Sequence, residues 1–373
     1  MKILLPISLD RWCNPISTLQ RACVQYNPDI EFHSFSNPET EEDRQMGAEF
    51  WKLPNLHLRK PWAILLDRFD VVHTASFSRG NYLAALIAKL RGMGHTKFLT
   101  TLNLEYDLKY AIDRLRYGRF LRIADRFVAV SEAVSADVRH RYPDRFLGVI
   151  PNGFDPQLYD PSKIDEVTLP DQVAALESGY PLWLAAVESR KNPQIFVQLA
   201  KANPSITFVA LGGVLPGDGE IYADQFNATP NILWLGKMER SVARAVMAKA
   251  GVLVFPSERE GLSLGMIEAI AMGIPILAQP KSSMPELVTA GWNGELMDVS
   301  DFDAWNQSLH KWLPPWSHEQ TENLKTARME ALEKFSWEVV GKSYHSVYEK
   351  LIQTKRCLFY SFNLSNSKID SSS

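Results

Sequence analysis

Two carboxylates with seven residues between them are prominent in the stretch PSEREGLSLGMIEAIAMGIP. Glu260 precedes a predicted helix, and Glu268 lies about one and a half turns into it. A carboxylate can accept two hydrogen bonds from a diol, so sugar hydroxyls are natural partners for two acids held close together. The alternative is that Glu260 complements the helix dipole while Glu268 is solvated. The spacing alone leaves both interpretations open.

A pair of cations, Arg190 and Lys191, follows a predicted strand and precedes a predicted helix. Cations at the carboxyl end of a strand could neutralise a phosphate or diphosphate, although a solvated basic pair is the simpler alternative. Gly261 would let a ligand approach the backbone, and the N–H groups at the start of the helix attract anions and hydroxyl oxygens. Cations for phosphate and acids for sugar hydroxyls suit a nucleoside diphosphate sugar, bound without a metal.

The composition limits the classes of protein. A chain of 373 residues is long for one hydrophobic core, which favours two domains. Its net charge of −3 argues against a nucleic-acid binder. Three cysteines without CxxC spacing indicate a reducing compartment, and the scattered histidines give no metal motif. Because the first apolar run is too short for a signal peptide and no window could span a membrane, we predict a cytoplasmic protein, with a peripheral role at the inner membrane face left open.

Two successive series of strands alternating with helices predict the fold. Continuous apolar runs are typical of strands in a parallel sheet covered on both faces. The predicted strands are 2–6, 69–73, 97–102, 127–130 and 146–150, followed by 182–187, 206–211, 232–235, 252–255 and 274–278. Helices of the second series are predicted to start near Asn192, Glu239, Ser263 and Met284. Residues 155–179 form the predicted connection, so the chain is expected to be α/β with two doubly wound domains.

Four stretches carry a resemblance to a known family: PSEREGLSLGMIEAIAMGIPILA, VIPNGFDPQLYDP, VESRKNP and FSWEVVGKSYHSVYEKL. In these the chain resembles the retaining, GT-B-fold glycosyltransferases of family GT4. The resemblance implies two Rossmann-like domains facing across a cleft. An N-terminal acceptor domain would comprise 1–165 plus a crossing helix at 336–355. A donor domain would comprise 166–335, and we expect a disordered tail at 356–373.

The resemblance also implies roles for individual residues. Glu268 would hold the ribose hydroxyls of a nucleotide sugar, and Glu260 would contact the transferred sugar. Lys191, with Arg190 beside it, would stabilise the departing nucleoside diphosphate. The remaining donor contacts would come from Gly261, Leu262, Ser263 and Gly212. No cofactor or divalent metal is needed, and the product would be a hexose-type sugar linked with retention to a glycan or lipid-linked acceptor, as in polysaccharide or glycolipid biosynthesis.

The first domain departs from the family pattern. No Gly-Gly pair follows the first strand, where Asp10 and Arg11 could instead contact the acceptor or form a packed loop. Asn103 stands where a histidine is common, and it cannot carry a proton. His73 could substitute for that histidine, although a lone histidine that ends a buried strand is more often structural.

Two further stretches are open to two interpretations. Segment 107–127 is basic with interleaved aromatic residues, so it could make weak contact with anionic lipid or a phosphorylated acceptor, or simply present a solvated helix face. The DxD pair Asp301 and Asp303 opens a predicted helix, and Asp301 is better explained as its N-cap than as a metal ligand.

The sequence also allows rival functions. One is a GT-B-fold nucleotide-sugar epimerase or a sugar phosphorylase. Another is a catalytically decayed nucleotide-binding scaffold, which the missing glycine pair and histidine favour modestly.

Overall fold

The computed structural model describes residues 1–6, 15–35, 49–104, 111–164, 169–176 and 179–366, without the side chains of Pro15, Pro61, Ala63, 111–116 and 354–366. The chain divides into two compact units. Unit 1 comprises Met1–Val130, Val134–Pro151 and Trp337–Ser373, and unit 2 comprises Ser131–Ala133 and Asn152–Ser336. The main division therefore follows Pro151, earlier than the predicted boundary at 165.

Unit 1 contains a parallel sheet with the strand order β3-β2-β1-β4-β5-β6-β7. Its strands are β1 (Lys2–Leu5), β2 (Glu31–Ser34), β3 (Leu56–Leu58), β4 (Val71–Thr74), β5 (Lys97–Leu102), β6 (Arg126–Ala129) and β7 (Phe146–Val149). Its helices are α1 (Pro15–Gln25), α2 (Arg79–Arg91), α3 (Ala111–Ile123) and α4 (Glu132–Arg141), with short 3-10 helices at Phe50–Lys52, Pro61–Leu65 and Pro143–Arg145.

Unit 2 contains a second parallel sheet. Its helices are α5 (Asp171–Ala174), α6 (Pro193–Ala202), α7 (Gly219–Asn227), α8 (Arg240–Ala248), α9 (Leu264–Ala271), α10 (Phe302–Trp312) and α11 (His318–Phe335). Its strands are β8 (Tyr180–Leu184), β9 (Phe208–Leu211), β10 (Ile232–Trp234), β11 (Ala250–Phe255), β12 (Ile276–Ala278) and β13 (Gly294–Leu296). Three-residue 3-10 helices lie at Pro161–Lys163, Ser189–Lys191 and Met284–Glu286.

The strand order of unit 2 is β10-β9-β8-β11-β12-β13. Counted from its own first strand, this is the order 3-2-1-4-5-6 of a dinucleotide-binding doubly wound sheet. Unit 1 has the same order with one further strand at the end. Strands β1, β8 and β11 are almost entirely buried, as expected for a parallel sheet covered on both faces. The predicted α/β class with two Rossmann-like domains is confirmed.

The last helix returns to the first unit. Helix α12 (Trp337–Asn366) packs against α1, and Asn27 Nδ2 donates to Gly341 O over 2.9 Å. A Cβ atom added at Gly341 would lie 2.6 Å from Ala22 O, so only glycine allows this close approach. The predicted crossing helix 336–355 is therefore present and extends to Asn366, beyond its expected end. Residues 367–373 of the predicted tail lie outside the described residues.

Several smaller elements differ from the prediction. Strands β2, β3 and β13 were missed because each is only three or four residues long and lacks a continuous apolar run. The helix expected near Met284 is a single 3-10 turn. Within the described residues, no helix is both long enough and apolar enough to cross a membrane.

Candidate functional site

The strand order of unit 2 reverses between β8 and β11. Strand β8 pairs with β9 on one side and with β11 on the other, so the loops that leave β8 and β11 run in opposite directions across the sheet. Ligands of doubly wound sheets bind at this point, beyond the carboxyl ends of the strands. The loop after β8 carries Arg190 and Lys191, and the loop after β11 carries Glu260. The topology therefore brings the predicted cations and the first predicted acid together.

Lys191 and Glu260 form an ion pair. Lys191 Nζ donates to Glu260 Oε1, and the two side chains are only 11% and 12% exposed. Ser257 Oγ donates to the same oxygen over 2.6 Å. A pair this sheltered interacts more strongly than one on the surface, because less water screens it. The group predicted for the sugar thus contacts the group predicted for the diphosphate.

The backbone around Glu260 is fixed by the loop after β12. Glu260 N–H donates to Ser282 Oγ over 3.1 Å, and Ser282 Oγ donates to Glu260 O over 2.6 Å. Such reciprocal bonds hold the carboxylate in place even though it lies in a loop.

Arg190 is more strongly engaged by protein groups than predicted. Its Nη1 donates to Arg259 O over 2.6 Å, and its Nη2 donates to Glu188 Oε1 over 2.5 Å. Its Nη1 also lies 3.9 Å from Glu260 Oε1. Glu188 therefore neutralises part of the charge that was expected for phosphate, which leaves Lys191 as the better-placed cation. The phosphate role of Arg190 stays a prediction.

Asn192 links the two loops that hold these side chains. Its φ of +52° is left-handed, a conformation that asparagine tolerates better than most residues. Its Nδ2 donates to Pro256 O over 2.8 Å. The loops after β8 and β11 are thereby tied together next to Lys191.

The amino end of α9 presents backbone donors. Ser263 Oγ accepts from Met266 N–H over 3.4 Å, so Ser263 is the N-cap of α9. Among the described residues, the N–H groups of Gly261, Leu262 and Ser263 donate no hydrogen bond. Gly265 lets this helix approach β8, since an added Cβ would lie 3.3 Å from Leu184 Cδ2. Free N–H groups at a helix start are suited to an anion or a hydroxyl oxygen.

Glu268 lies on α9 and has its own cation. Arg240 Nη2 donates to Glu268 Oε1 over 2.8 Å, and Tyr159 Oη donates to the same oxygen over 2.5 Å. Burial raises the pKa of the Glu268 carboxyl, and Arg240 and Tyr159 offset that increase only in part. The described hydrogen bonds all reach Oε1, so Oε2 retains its capacity to accept from a ligand.

Gly212 has a structural reason to be glycine. Its φ is +145°, and an added Cβ would lie 1.8 Å from Ala185 O. Its N–H already donates to Gly236 O over 2.8 Å. The residue allows the loops after β8 and β9 to touch, and its predicted donor contact would have to use another atom.

His73 is not placed to meet an acceptor, which corrects that candidate. Its side chain is fully buried, with Nδ1 2.7 Å from Tyr348 Oη and Nε2 2.9 Å from Thr101 Oγ1. Burial lowers its pKa to about 3, so the imidazole is neutral. Because both ring nitrogens are engaged and out of reach of solvent, His73 joins α12 to the sheet of unit 1.

The other candidates of unit 1 are less defined. Asn103 is half-buried, and its Nδ2 donates to Ala75 O over 2.5 Å, which leaves its amide oxygen and its second N–H for an acceptor. Asp10 and Arg11 lie outside the described residues. In segment 107–127, residues 107–110 are also outside, whereas Arg119 and Arg122 are exposed on α3.

The DxD pair has a structural role. Asp301 Oδ1 accepts from Ala304 N–H over 3.0 Å and caps α10, as predicted. Across the described residues, no three His, Cys, Asp or Glu side chains are grouped to hold a metal ion.

Comparisons with known proteins place both halves of the chain in one family. The model for glycosyl transferases group 1 matches residues 172–328, and the model for glycosyltransferase family 4 matches residues 19–158. The chain belongs to the GT4 glycosyltransferases. An uncharacterized glycosyltransferase of Methanocaldococcus jannaschii is 22% identical over 94% of this chain and 99% of its own. The Escherichia coli UDP-Gal:alpha-D-GlcNAc-diphosphoundecaprenol alpha-1,3-galactosyltransferase is 25% identical over 65% of this chain and 66% of its own.

Solved structures share the fold of this glycosyltransferase. Anabaena HepE, in complex with UDP and glucose, has a TM-score of 0.75 at 16% identity and covers 94% of this chain and 100% of its own. Sucrose-phosphate synthase from Thermosynechococcus elongatus has a TM-score of 0.70 at 16% identity and covers 95% and 100%. At such identities the likeness concerns the fold alone, and it confirms the predicted GT-B architecture.

Three site residues were missed from the sequence. Tyr159 stands inside the quoted stretch VIPNGFDPQLYDP, Arg240 opens α8, and Ser257 is part of PSEREG. A tyrosine in the linker and an arginine at a helix start carry no spacing signal that connects them with Glu268. Ser257 could have been found, because a hydroxyl three residues before an acid is within reach of it in a turn.

Proposed function

We propose that this GT4 member is a retaining, metal-independent glycosyltransferase that moves a hexose-type sugar from a nucleotide diphosphate sugar to a glycan or lipid-linked acceptor. The observation that carries the proposal is the meeting of Lys191 and Glu260 at the switch point of unit 2, beside the unpartnered N–H groups that start α9. A cation, a carboxylate and helix N–H groups at one point are the groups that a sugar diphosphate requires.

The relatives support the donor and acceptor classes. The name of the E. coli relative gives a UDP-linked galactose and a diphosphoundecaprenol acceptor. HepE was solved with UDP and glucose. For this chain we therefore propose a nucleotide-linked hexose as donor and an acceptor used in polysaccharide or glycolipid biosynthesis.

The donor would be held by three groups of contacts. Glu268 Oε2 would accept hydrogen bonds from the ribose hydroxyls, while Arg240 and Tyr159 keep Oε1 fixed. The N–H groups of Gly261, Leu262 and Ser263 would donate to diphosphate and sugar oxygens. Glu260 would exchange its ion pair with Lys191 for the hydroxyls of the transferred sugar.

Lys191 would supply most of the charge stabilisation. As the bond between the anomeric carbon and the diphosphate oxygen breaks, its electron pair moves to that oxygen. The ammonium released from Glu260 would then stabilise the new negative charge, with the helix N–H groups and, in part, Arg190 assisting. These contacts would perform the role for which other transferases use a divalent metal.

Retention requires that the new bond form on the face that the diphosphate leaves. The acceptor hydroxyl oxygen would attack the oxocarbenium-like carbon on that face, and its proton would pass to a phosphate oxygen of the leaving group. No side chain is then needed as a proton carrier, which agrees with the burial of His73.

The proposal is tested by acceptor-dependent release of a nucleoside diphosphate from a panel of nucleotide sugars. Replacing Lys191 with Ala or Glu260 with Gln should lower kcat by at least about 100-fold, because each removes a contact made to the developing charge or the sugar. The matched controls Lys201→Ala and Glu220→Ala change exposed residues of α6 and α7 and should keep normal rates.

Folding is checked by circular dichroism, since Lys191→Ala leaves the sheltered Glu260 with only Arg190, 3.9 Å away, as a cation. The double variant Lys191→Met with Glu260→Gln removes both charges together and keeps the test valid if the single variant unfolds. Interconversion of donor sugars without diphosphate release would identify an epimerase. Nucleotide binding without any turnover would identify a scaffold, and either result would overturn the proposal.

A further inference from the structure

Exposed apolar side chains are concentrated in one part of unit 1. Where side chains are described, thirteen large hydrophobic residues are exposed, and seven of them lie between Leu58 and Met93. Soluble proteins scatter such residues singly, and a concentration of them marks an interaction surface.

The exposed residues stand on two elements that pack together. We define the apolar patch as Trp62, Leu65, Leu66, Leu83, Leu90 and Met93, which are between 52% and 77% exposed. The first three belong to the 3-10 helix Pro61–Leu65 or directly follow it, and this helix packs against α2. Leu83 and Leu90 are seven residues apart on α2 and thus share a helix face, and Met93 follows the helix end.

The charge around the patch is strongly positive. Residues 56–93 carry six cations and two acids, a net charge of +4 in a chain whose net charge is −3. Both acids are already engaged. Asp67 Oδ2 lies 4.0 Å from Arg59 Nε, and Asp70 Oδ2 accepts from the Lys2 N–H over 2.9 Å. The cations are Arg59, Lys60, Arg68, Arg79, Lys89 and Arg91. Lys89 is paired with Asp125 over 3.0 Å and Arg59 with Asp67, so the exposed Lys60, Arg68, Arg79 and Arg91 carry the positive charge of the border.

We propose that the apolar patch docks this protein onto an anionic phospholipid surface. Apolar side chains that include a tryptophan, bordered by arginine and lysine, fit the boundary between acyl chains and anionic headgroups. Each cation near such a surface adds to the attraction. A second copy of the chain is a poor occupant, because two such surfaces would each bring a charge of +4 to the interface.

Helix α3 extends the same basic border. It packs against α2, and Arg119 and Arg122 on it are exposed. The basic segment predicted to touch lipid thus supplies charge, whereas the apolar anchor comes from 61–93. Loss of the patch should release the protein from the membrane and leave unit 2 unaffected.

The test is flotation of the whole protein with two kinds of vesicle, phosphatidylcholine alone and phosphatidylcholine with 30% phosphatidylglycerol, without donor or acceptor. The wild type should bind the anionic vesicles at least 10-fold better than the neutral ones, and 0.5 M NaCl should weaken this binding. The variant Leu66→Glu with Leu90→Glu should bind at least 10-fold less. The matched control, Ile221→Glu with Met329→Glu, changes residues of unit 2 that are 62% and 64% exposed and should bind normally.

Equal binding of the patch variant and the control would overturn the proposal, as would failure of the wild type to bind anionic vesicles. If the wild type sediments as a dimer and the patch variant as a monomer, the patch binds a second copy of the chain instead. Nucleoside diphosphate release with a water-soluble acceptor is measured separately on the same variants. It should be unchanged, so failure of membrane docking and failure of the proposed transferase activity give different results.

Discussion

The two units share a strand order but differ in chemistry where that order reverses. In unit 2, the loops after β8 and β11 hold Lys191 and Glu260 as a sheltered but reachable ion pair. In unit 1 the reversal lies between β1 and β4, and β4 carries His73, which no solvent reaches. The same topology thus provides a binding position in both units, and burial and charge determine whether a side chain there can act on a ligand.

Buried titratable groups make the difference clearer. Burial raises the pKa of Glu268 and lowers that of His73, because it disfavours the charged form of each group. Glu268 has Arg240 as a cation, whereas His73 has only the hydroxyls of Tyr348 and Thr101. An acid with a cation can remain ionised for binding, and an imidazole between two hydroxyls stays neutral and structural.

The largest expected effect in this comparison comes from removing the charge of Glu268. The variant Glu268→Gln should bind nucleoside diphosphates about 10- to 100-fold more weakly, since hydrogen bonds to a charged group contribute about 1.5–3 kcal/mol. Calorimetry with a panel of nucleoside diphosphates measures this, and Glu220→Gln is the matched control. Because the pKa of Glu268 is raised above 4.5, wild-type affinity should start to fall at a higher pH than for an exposed carboxylate. Unchanged affinity in Glu268→Gln would exclude the ribose role.

His73 should make unit 1 sensitive to acid. Its pKa of about 3 lies below the ordinary value of 6.5, so between these values the unfolded chain binds a proton that the folded chain does not. Above pH 6.5 His73 is neutral in both states and does not lower the free energy of unfolding. As the pH falls from 6.5 toward 3, that free energy decreases by up to about 1.4 kcal/mol per pH unit. The free energy of unfolding, measured with urea, should decrease less between pH 7 and 5 for His73→Gln than for the wild type. The exposed His95 provides the control variant His95→Gln, and parallel pH profiles of wild type and His73→Gln would contradict the assignment.

The smallest expected effect concerns Asp301. Replacing it with Ala should lower the free energy of unfolding by about 1 kcal/mol, the usual contribution of an N-cap, whereas Asp303→Ala should have less effect. Thermal unfolding of both variants measures the difference. If Mn²⁺ raised the melting temperature of the wild type but not of Asp301→Ala, the pair would be a metal site instead.

Local signals were enough to predict most of the sheet framework. Strand β5 has the bounds predicted from its apolar run, and Asn192, Glu239 and Ser263 directly precede the first residues of three helices, as expected. Strand β2 was not predicted because its Glu31 and His33 are polar. His33 is nevertheless fully buried, and the side chains of Glu31 and Arg59 satisfy its ring nitrogens. Burial of that kind depends on tertiary partners, which a local pattern does not contain.

The candidate site could be predicted only in part, because some of its contacts also depend on tertiary partners. Glu260, Glu268 and Lys191 follow from residue type, spacing and family resemblance, and the topology explains why Lys191 and Glu260 meet. The partners of Glu268 lie 109 and 28 residues away in sequence, in Tyr159 and Arg240. His73 was open to two interpretations because the sequence does not show that α12 covers it.

Helix α12 also affects how the protein is made. Tyr344 and Tyr348 complete the polar contacts of Thr101 and His73, yet the ribosome adds them only after all of unit 2. Unit 1 is therefore begun first and finished last, contrary to the usual order in which an N-terminal domain folds before the next is synthesised. Until α12 emerges, all strands of the unit 1 sheet have been made but the helix that packs on α1 and bonds to His73 is missing, and chaperones are suited to that interval.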